Sequence, residues 1–359
     1  MKKRVVIKVG SNVLTRKNGT LDITRMSAIV DQIAELHQVG VQVILVSSGA
    51  VASGRTALNI DEKLDTVSSR QLYSAVGQAK LINRYYDLFL QHKIACGQVL
   101  ATKEDFATRR HYLNQRNCML VMLEHGVIPI VNENDTISVN ELMFTDNDEL
   151  SGLVAAMMNV SQLIILSNID GVYNGNPKEE GTAVIPRIEP TMEHVESFIQ
   201  TAKSTAGRGG MQTKYNIARK VAEEGIEVII ANGERDNILL DVLYQEGAIC
   251  TRFTPSDKNT SSIKKWIAHS EGFAKGELHI NEGAEEALQS EQAVSLLPIG
   301  LTKVVGAFEC DDIVRILSSR TGEQLAIGKS AYSSAEAKKL IGVKDQKPIV
   351  HYDYLYIEK

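Results

Sequence analysis

Residues 41–54 read VQVILVSSGAVASG. The run Val41–Val46 is apolar and rich in β-branched side chains, without polar alternation. That composition suits a strand covered on both faces, as in a parallel sheet. It stops at Ser47-Ser48-Gly49-Ala50 and passes into a helical pattern. Strand, small-residue turn and helix form the repeating unit of an α/β domain. The unit recurs outward from here. Val5–Val9, Val127–Val131, Leu163–Leu166 and Val228–Ile230 are further continuous apolar runs. Between the first two strands, Met26, Ile29, Val30, Ile33, Leu36 and Val39 fall on helical spacing over Thr24–Val39, with Asp22 or Thr24 as cap and Gly40 as stop. A second helix is expected over Thr213–Glu224, ending at Gly225. The expected fold class is α/β, a three-layer arrangement in which a parallel-rich sheet is sandwiched by helices.

The pattern changes near Phe253. Residues 254–262 (TPSDKNTSS) read as a linker. Beyond Gly276, short strand-like pieces (Glu277–Ile280, Val304–Phe308, Ile313–Leu317, Gln324–Ile327 and Pro348–Tyr352) alternate with turns. The expected division is an α/β domain over 1–255, a linker over 256–275 holding the lone Trp266, and a small β-rich domain over 276–359. A length of 359 residues agrees with two domains or three. No apolar run approaches the ~18 residues of a membrane span, and the basic N-terminus precedes too short an apolar stretch to be a secretion signal. Cys96, Cys118, Cys250 and Cys310 are scattered, with no paired spacing, and read as isolated buried thiols of a cytoplasmic protein.

Ligands of open α/β sheets bind beyond the carboxyl ends of the strands. Those ends here carry Lys8, Gly10 and Ser11; Ser47 to Ala50; Asn132-Glu133-Asn134-Asp135; Ser167-Asn168 with Asp170-Gly171; and Ala231-Asn232-Gly233. Five polar or small-residue ends together suggest one cleft for a polar, phosphate-bearing ligand. Gly207-Arg208-Gly209-Gly210, then Met211-Gln212-Thr213-Lys214, put flexible backbone, a hydroxyl and an ammonium at a helix start, which suits phosphate. Gly328-Lys329-Ser330 imitates a P-loop but lacks its first glycine and its strand–loop–helix setting, and is discarded. Asp146-Asn147-Asp148 opens a helix running to Met158, and these acidic residues suit either caps or the binding of an amino or other cationic group. No histidine pairs with a Ser or Cys. His37 reads as surface or half-buried, and Arg109-Arg110 as a solvated helix face.

The stretches IKVGSNVL (7–14), VSSGAVASGR (46–55), PIVNENDT (129–136), FTDNDELSGLVA (144–155) and GGMQTK (209–214) resemble the amino acid kinase family. GELHINEGAEEAL (276–288), SLLPIGLTKVVGAF (295–308) and PIVHYD (348–353) resemble a PUA domain. The resemblance implies transfer of the ATP γ-phosphoryl group to the side-chain carboxylate of L-glutamate, the first step of proline biosynthesis, in line and without a covalent enzyme intermediate. A carboxylate is already nucleophilic at pH 7, so the reaction requires alignment and charge stabilisation rather than a general base. By resemblance, Lys8 and Lys214 are the catalytic lysines and Asp148 holds them. Ser48, Gly49, Asp135 and Asn147, with Asn132 nearby, would hold glutamate. Asp135 suits its α-ammonium. Lys8, Gly10, Ser167, Asn168 and the loop Arg208–Lys214 would hold ATP, with Mg²⁺ arriving on the nucleotide rather than in a protein metal site. Ser167-Asn168 departs from the family's usual Thr-Asp, and Arg208 stands where a small residue is expected. The resemblance further implies a homodimer or homotetramer, and proline feedback through residues 136–145.

Two other readings compete. One is an aspartate or N-acetylglutamate kinase of the same family; the Asn132–Asp135 set with Asn147 favours a free amino acid, and the PUA-like appendage favours glutamate. The other is RNA binding through the PUA-like part. Residues 256–359 hold 13 Lys and Arg against 15 Asp and Glu, and the whole chain has net charge −5, so neither part has the basic excess that binding a phosphate backbone demands.

Overall fold

The computed structural model describes residues 3–58, 60, 64–107, 109–138, 144, 146–177, 179–192, 195–199, 210–245, 247–256, 264, 266–267, 270–290 and 294–357. By contacts the chain divides into two compact units, Met1–Lys103 with Leu113–Asn259, and Glu104–Tyr112 with Thr260–Lys359.

In the first unit the order is β1 (Arg4–Val9), α1 (Ser11–Leu14), α2 (Ile23–Gln38), β2 (Gln42–Ser47), α3 (Ala50–Ala57) and α4 (Thr66–Gln91). Then come β3 (Cys96–Ala101), α5 (Lys103–Ala107) and α6 (Arg109–Glu124), of which Glu104–Tyr112 belongs to the second unit, followed by β4 (Ile128–Glu133), α7 (Asn147–Met158) and β5 (Gln162–Ser167). Last are β6 (Arg187–Ile188), α8 (Val195–Ile199), α9 (Met211–Glu223), β7 (Glu227–Asn232), α10 (Ile238–Tyr244) and β8 (Cys250–Phe253). The eight strands lie in the order β3-β4-β2-β1-β5-β7-β8-β6. All described pairings are parallel except β7 with β8.

Alternation along β1 explains the layering. Val5, Ile7 and Val9 join Met26, Ile29 and Ile33 of α2 and Ile238 and Leu239 of α10 in one buried cluster. Val6 and Lys8 point to the other face, which α7 covers. Helix α7 is buried almost all round, from Asp148 to Met158, as befits a helix inside the fold rather than on it. Asp22 caps α2, its carboxylate accepting from the Arg25 amide at 3.2 Å. The parallel-rich sheet between helices agrees with the sequence expectation. Sequence reading omitted β3, β6 and β8 and the 26-residue α4. Strand β3 has only Val99 and Ala101 fully buried, with glycine and glutamine inside it, so it lacks the continuous apolar signature.

The second unit has a five-stranded sheet, ordered β10 (Leu301–Gly306), β9 (Gly276–Ile280), β11 (Ile313–Ser318), β12 (Gln324–Lys329) and β13 (Leu355–Ile357). Only β9 with β11 is parallel. One face covers a core of Leu278, Ile280, Val314, Ile316 and Ala326 among others. Pro348–Tyr352 is not a strand as expected. Val350 makes an isolated bridge to Leu296, and the fifth strand lies at Leu355–Ile357. Trp266 is 2% exposed, and its indole N–H donates to the Phe106 carbonyl at 2.8 Å. Arg109 does not lie on a solvated face as expected. Its guanidinium stacks 5.1 Å from the Tyr112 ring centre and 5.5 Å from that of Trp266, an arrangement cation–π attraction favours. The cysteines also differ from expectation: Cys250 is buried and Cys96 half-buried, but Cys118 and Cys310 are exposed. His37 is half-buried, its Nε2 3.2 Å from the Gly126 carbonyl.

Candidate active site

The carboxyl ends of β1, β2, β4 and β5 and the first turns of α7 and α9 bring the polar residues together. Lys8, one residue before the end of β1, is only 4% exposed. Its Nζ lies 2.5 Å from Asp148 Oδ1, and Lys214 Nζ, from the first turn of α9, lies 3.0 Å from Asp148 Oδ2. Asp148 is wholly buried. Burial alone would raise its carboxyl, but the two ammonium groups outweigh that and hold it below the ordinary value. The trio carries one excess positive charge on buried side chains, and ions held so are worth much more than on a surface. Gly10 borders it. A Cβ there would sit 3.3 Å from the Leu166 carbonyl and 3.5 Å from Lys8 Nζ, so glycine keeps the space before the ammonium open.

Asp146 caps α7, its Oδ1 accepting from the amides of Asp148 (2.9 Å) and Glu149 (3.1 Å). Its Oδ2 is buried without a hydrogen-bond partner among the described residues. Burial, then the charge of Asp148, push the Asp146 carboxyl upward.

A second group adjoins through Asn147. Its amide donates to Ser48 Oγ (2.9 Å), Asn132 Oδ1 (3.0 Å) and the Ser47 carbonyl (3.2 Å). Asn132 in turn donates to Gln78 of α4 at 2.9 Å. Gly49, at φ 106°, makes the left-handed turn that starts α3, a conformation most side chains resist. Asp135 and Glu133 meet Arg70 of α4, whose Nε lies 2.5 Å from Asp135 Oδ1 and whose Nη2 lies 2.5 Å from Glu133 Oε2. Burial raises the Glu133 carboxyl even against the Arg70 charge. Its other oxygen accepts from the Phe144 amide at 3.0 Å.

The structure thus gathers Lys8, Gly10, Asp148 and Lys214 into one cluster, and Ser48, Asn132 and Asn147 into another beside it. Asp135 is present but ion-paired with Arg70. Ser167 ends β5, buried, with its hydroxyl 3.5 Å from Asn168 Oδ1, while Asn168 is exposed. Gly210 caps α9; Met211, Gln212 and Thr213 form its first turn, and Gln212 donates to Asn216 at 2.9 Å. Arg208 and Gly209, and residues 139–143 and 145 of the segment expected to sense proline, lie outside the described residues. Sequence reasoning missed Arg70 and Gln78, whereas Asp146 takes the capping role that was one of the readings of Asp146-Asn147-Asp148. Arg70 and Gln78 lie on a helix remote in sequence from any strand end, so spacing gave no signal for them. Among the described residues no group of three or more His, Cys, Asp or Glu is placed to hold a metal ion, and no helix is long and apolar enough to cross a membrane.

A parallel-rich sheet with one buried lysine at a strand end and another at a helix start, joined by an aspartate, defines a class, and the class has a family. The amino acid kinase family model matches residues 3–232, and the chain belongs to that family, with a PUA domain at 276–352. A glutamate 5-kinase of Bacteroides thetaiotaomicron is 65% identical over 99% of this chain and 98% of its own. That of Chlorobaculum tepidum is 46% identical over 99% and 97%. Among solved structures, UMP kinase from Ureaplasma parvum aligns with TM-score 0.50 at 16% identity, over 71% of this chain and 99% of its own, which is a likeness of fold.

Proposed function

We propose that the protein phosphorylates the side-chain carboxylate of L-glutamate with ATP, releasing L-glutamyl 5-phosphate and ADP, as a glutamate 5-kinase. The observation that carries the reading is the Lys8–Asp148–Lys214 trio beside the Asn147 and Asp135 groups. Full-length identity to glutamate 5-kinases supports it.

The chemistry follows from the residues. A glutamate carboxylate oxygen attacks the γ-phosphorus in line as the bond to the β,γ-bridging oxygen breaks, and ADP leaves with that electron pair. No proton need move at the nucleophile. The transferring group gathers charge on its equatorial oxygens. Lys8 and Lys214 face that charge from a strand and from a helix start, and Asp148 keeps both ammonium groups converged. Because they are fixed before reaction, they stabilise the transition state without reorganisation. Ser48, Asn132 and Asn147 form a hydrogen-bonded platform for glutamate, and Asp135 accepts its ammonium. The first turn of α9, from Gly210 to Lys214, receives nucleotide phosphate, and Ser167 and Asn168 border the nucleotide. Mg²⁺ bound with ATP would screen the phosphates. Asp146 Oδ2, a buried carboxylate oxygen without a partner among the described residues, fits a water of that hydrated cation.

Trapping with hydroxylamine tests the reading. With ATP present, glutamate should give γ-glutamyl hydroxamate and aspartate little. Hydroxamate from aspartate but not glutamate would refute the substrate; none from either would refute the activity.

A further inference from the structure

Arg70 stands outside every motif read in the sequence, yet it meets the group expected to take the substrate's ammonium. One edge of its guanidinium, Nε and Nη2, is taken up by Asp135 and Glu133. The remaining nitrogen, Nη1, is buried and has no hydrogen-bond partner among the described residues. A guanidinium has five N–H donors, stays charged at any working pH, and offers nothing to another donor. A buried donor without an acceptor is unfavourable enough to call for one. The acceptor must therefore come from outside the described residues. An anionic, planar group matches best.

We propose that Arg70 is a specificity-determining residue that binds the α-carboxylate of the amino-acid substrate through Nη1, while its other edge holds Asp135 and Glu133. The inference rests on the glutamate reading above. Connectivity supports it. In an α-amino acid the ammonium and the α-carboxylate share one carbon, so an ammonium on Asp135 brings the carboxylate within a few ångströms of the group bonded to Asp135. That group is Arg70. Charge supports it as well. Arg70, Glu133 and Asp135 sum to −1 if both acids are ionised. A zwitterionic headgroup adds no net charge, its ammonium meeting the acids and its carboxylate the guanidinium. The side-chain carboxylate is then left for the lysine trio. Arg70 is also well held: the next residue, Gln71, donates to the Thr136 carbonyl at 2.8 Å, and Gln78 accepts from Asn132. These contacts tie α4 to the loop after β4, so the free edge is aimed by the fold.

The test compares L-glutamate with L-isoglutamine, whose α-carboxylate is a neutral amide and whose ammonium and side-chain carboxylate are kept. In wild type and Arg70→Met, the KM and kcat for glutamate, the inhibition constant of isoglutamine against it, and the KM for ATP are measured. A charge-assisted hydrogen bond predicts a roughly 10- to 100-fold rise in glutamate KM. The isoglutamine constant should move less than about threefold, and the ATP KM should hold. If both amino-acid constants weaken equally, Arg70 only positions Asp135 and the proposal fails; it fails too if glutamate KM is unaltered. Should Arg70→Met not fold, Arg70→Lys supplies the same comparison, because a lysine cannot serve two carboxylates and a third acceptor in the same geometry. Absence of glutamate turnover by the wild-type chain would refute the substrate reading instead, and is seen before any variant is made.

Discussion

Replacing Asp148 by Asn keeps the shape of the side chain and deletes the charge between two buried ammonium groups. With Asp148 in place, Lys8 lies 2.5 Å from one oxygen and Lys214 3.0 Å from the other. The ammonium groups are then no more than about 8 Å apart, and at an effective dielectric of ~20 they repel by roughly 2–3 kcal/mol. Removing one partner of a buried ion pair costs about 3–5 kcal/mol, because the other is left uncompensated. D148N should therefore lower stability by about that amount and the melting temperature by roughly 10 °C. If 2–3 kcal/mol of that disturbance reaches the transition state, kcat falls roughly 30- to 150-fold. Thermal unfolding and steady-state turnover read the two effects. A second substitution separates them. Lys8→Met in the D148N background removes the repulsion, so stability should recover by about 2 kcal/mol while turnover stays lost. A D148N protein with wild-type melting and kcat would refute the reasoning. So would a double variant no more stable than the single one.

Lys214→Ala and Lys8→Ala should each lower kcat far more than they raise the KM for glutamate, since both act on the moving charge; steady-state kinetics with each substrate varied in turn decides this. The pH dependence of stability should show Glu133. Its folded carboxyl is raised above its ordinary value near 4.5, so as pH rises from 4.5 through the folded value the folded state gives up a proton it had retained, and stability falls. Glu133→Gln should make that decline in melting temperature shallower. Asp148 has the opposite sign: its contribution is present above its ordinary value of 3.8 and is lost as pH falls through the lower folded one. Finally, Gly77→Ala should destabilise by about 1–3 kcal/mol or more. A Cβ there would sit 1.8 Å from the Ala50 carbonyl oxygen, forcing α4 off α3. Because α4 carries Arg70 and Gln78, glutamate KM should rise with it, as denaturant titration and kinetics together would record.

The parts legible in the sequence share a cause. Central parallel strands are buried on both faces, so β1, β2, β5 and β7 appear as unbroken apolar runs, and the polar residues that follow them must line the ligand end of the sheet. Lys8, Asn132 and Ser167 were found this way. Lys214 was found because a glycine run before a helix is distinctive. Strands at and near the sheet's edges carry weaker signals: the edge strand β3 includes Gly97 and Gln98, and β8, next to the other edge, is four residues long and antiparallel to β7. Arg70 left no trace, because a single arginine on a long helix looks like any solvated one until the fold sets it against Asp135. Arg109 misled for the same reason, its rings being supplied by Tyr112 and by Trp266, more than 150 residues away.

The bond from Trp266 to Phe106 has a consequence for how the chain is made. The C-terminal unit includes Glu104–Tyr112, so part of its interior emerges from the ribosome long before the rest. At ~5–20 residues per second, Phe106 waits roughly 10–30 s for its tryptophan. During that interval Phe106 and Tyr112 lack the Trp266 contacts they make in the finished chain, while most of the kinase sheet can already close. A ribosome paused near residue 255 would expose Phe106 and Tyr112 to chaperones, a vulnerability that belongs to synthesis and disappears once the chain is whole.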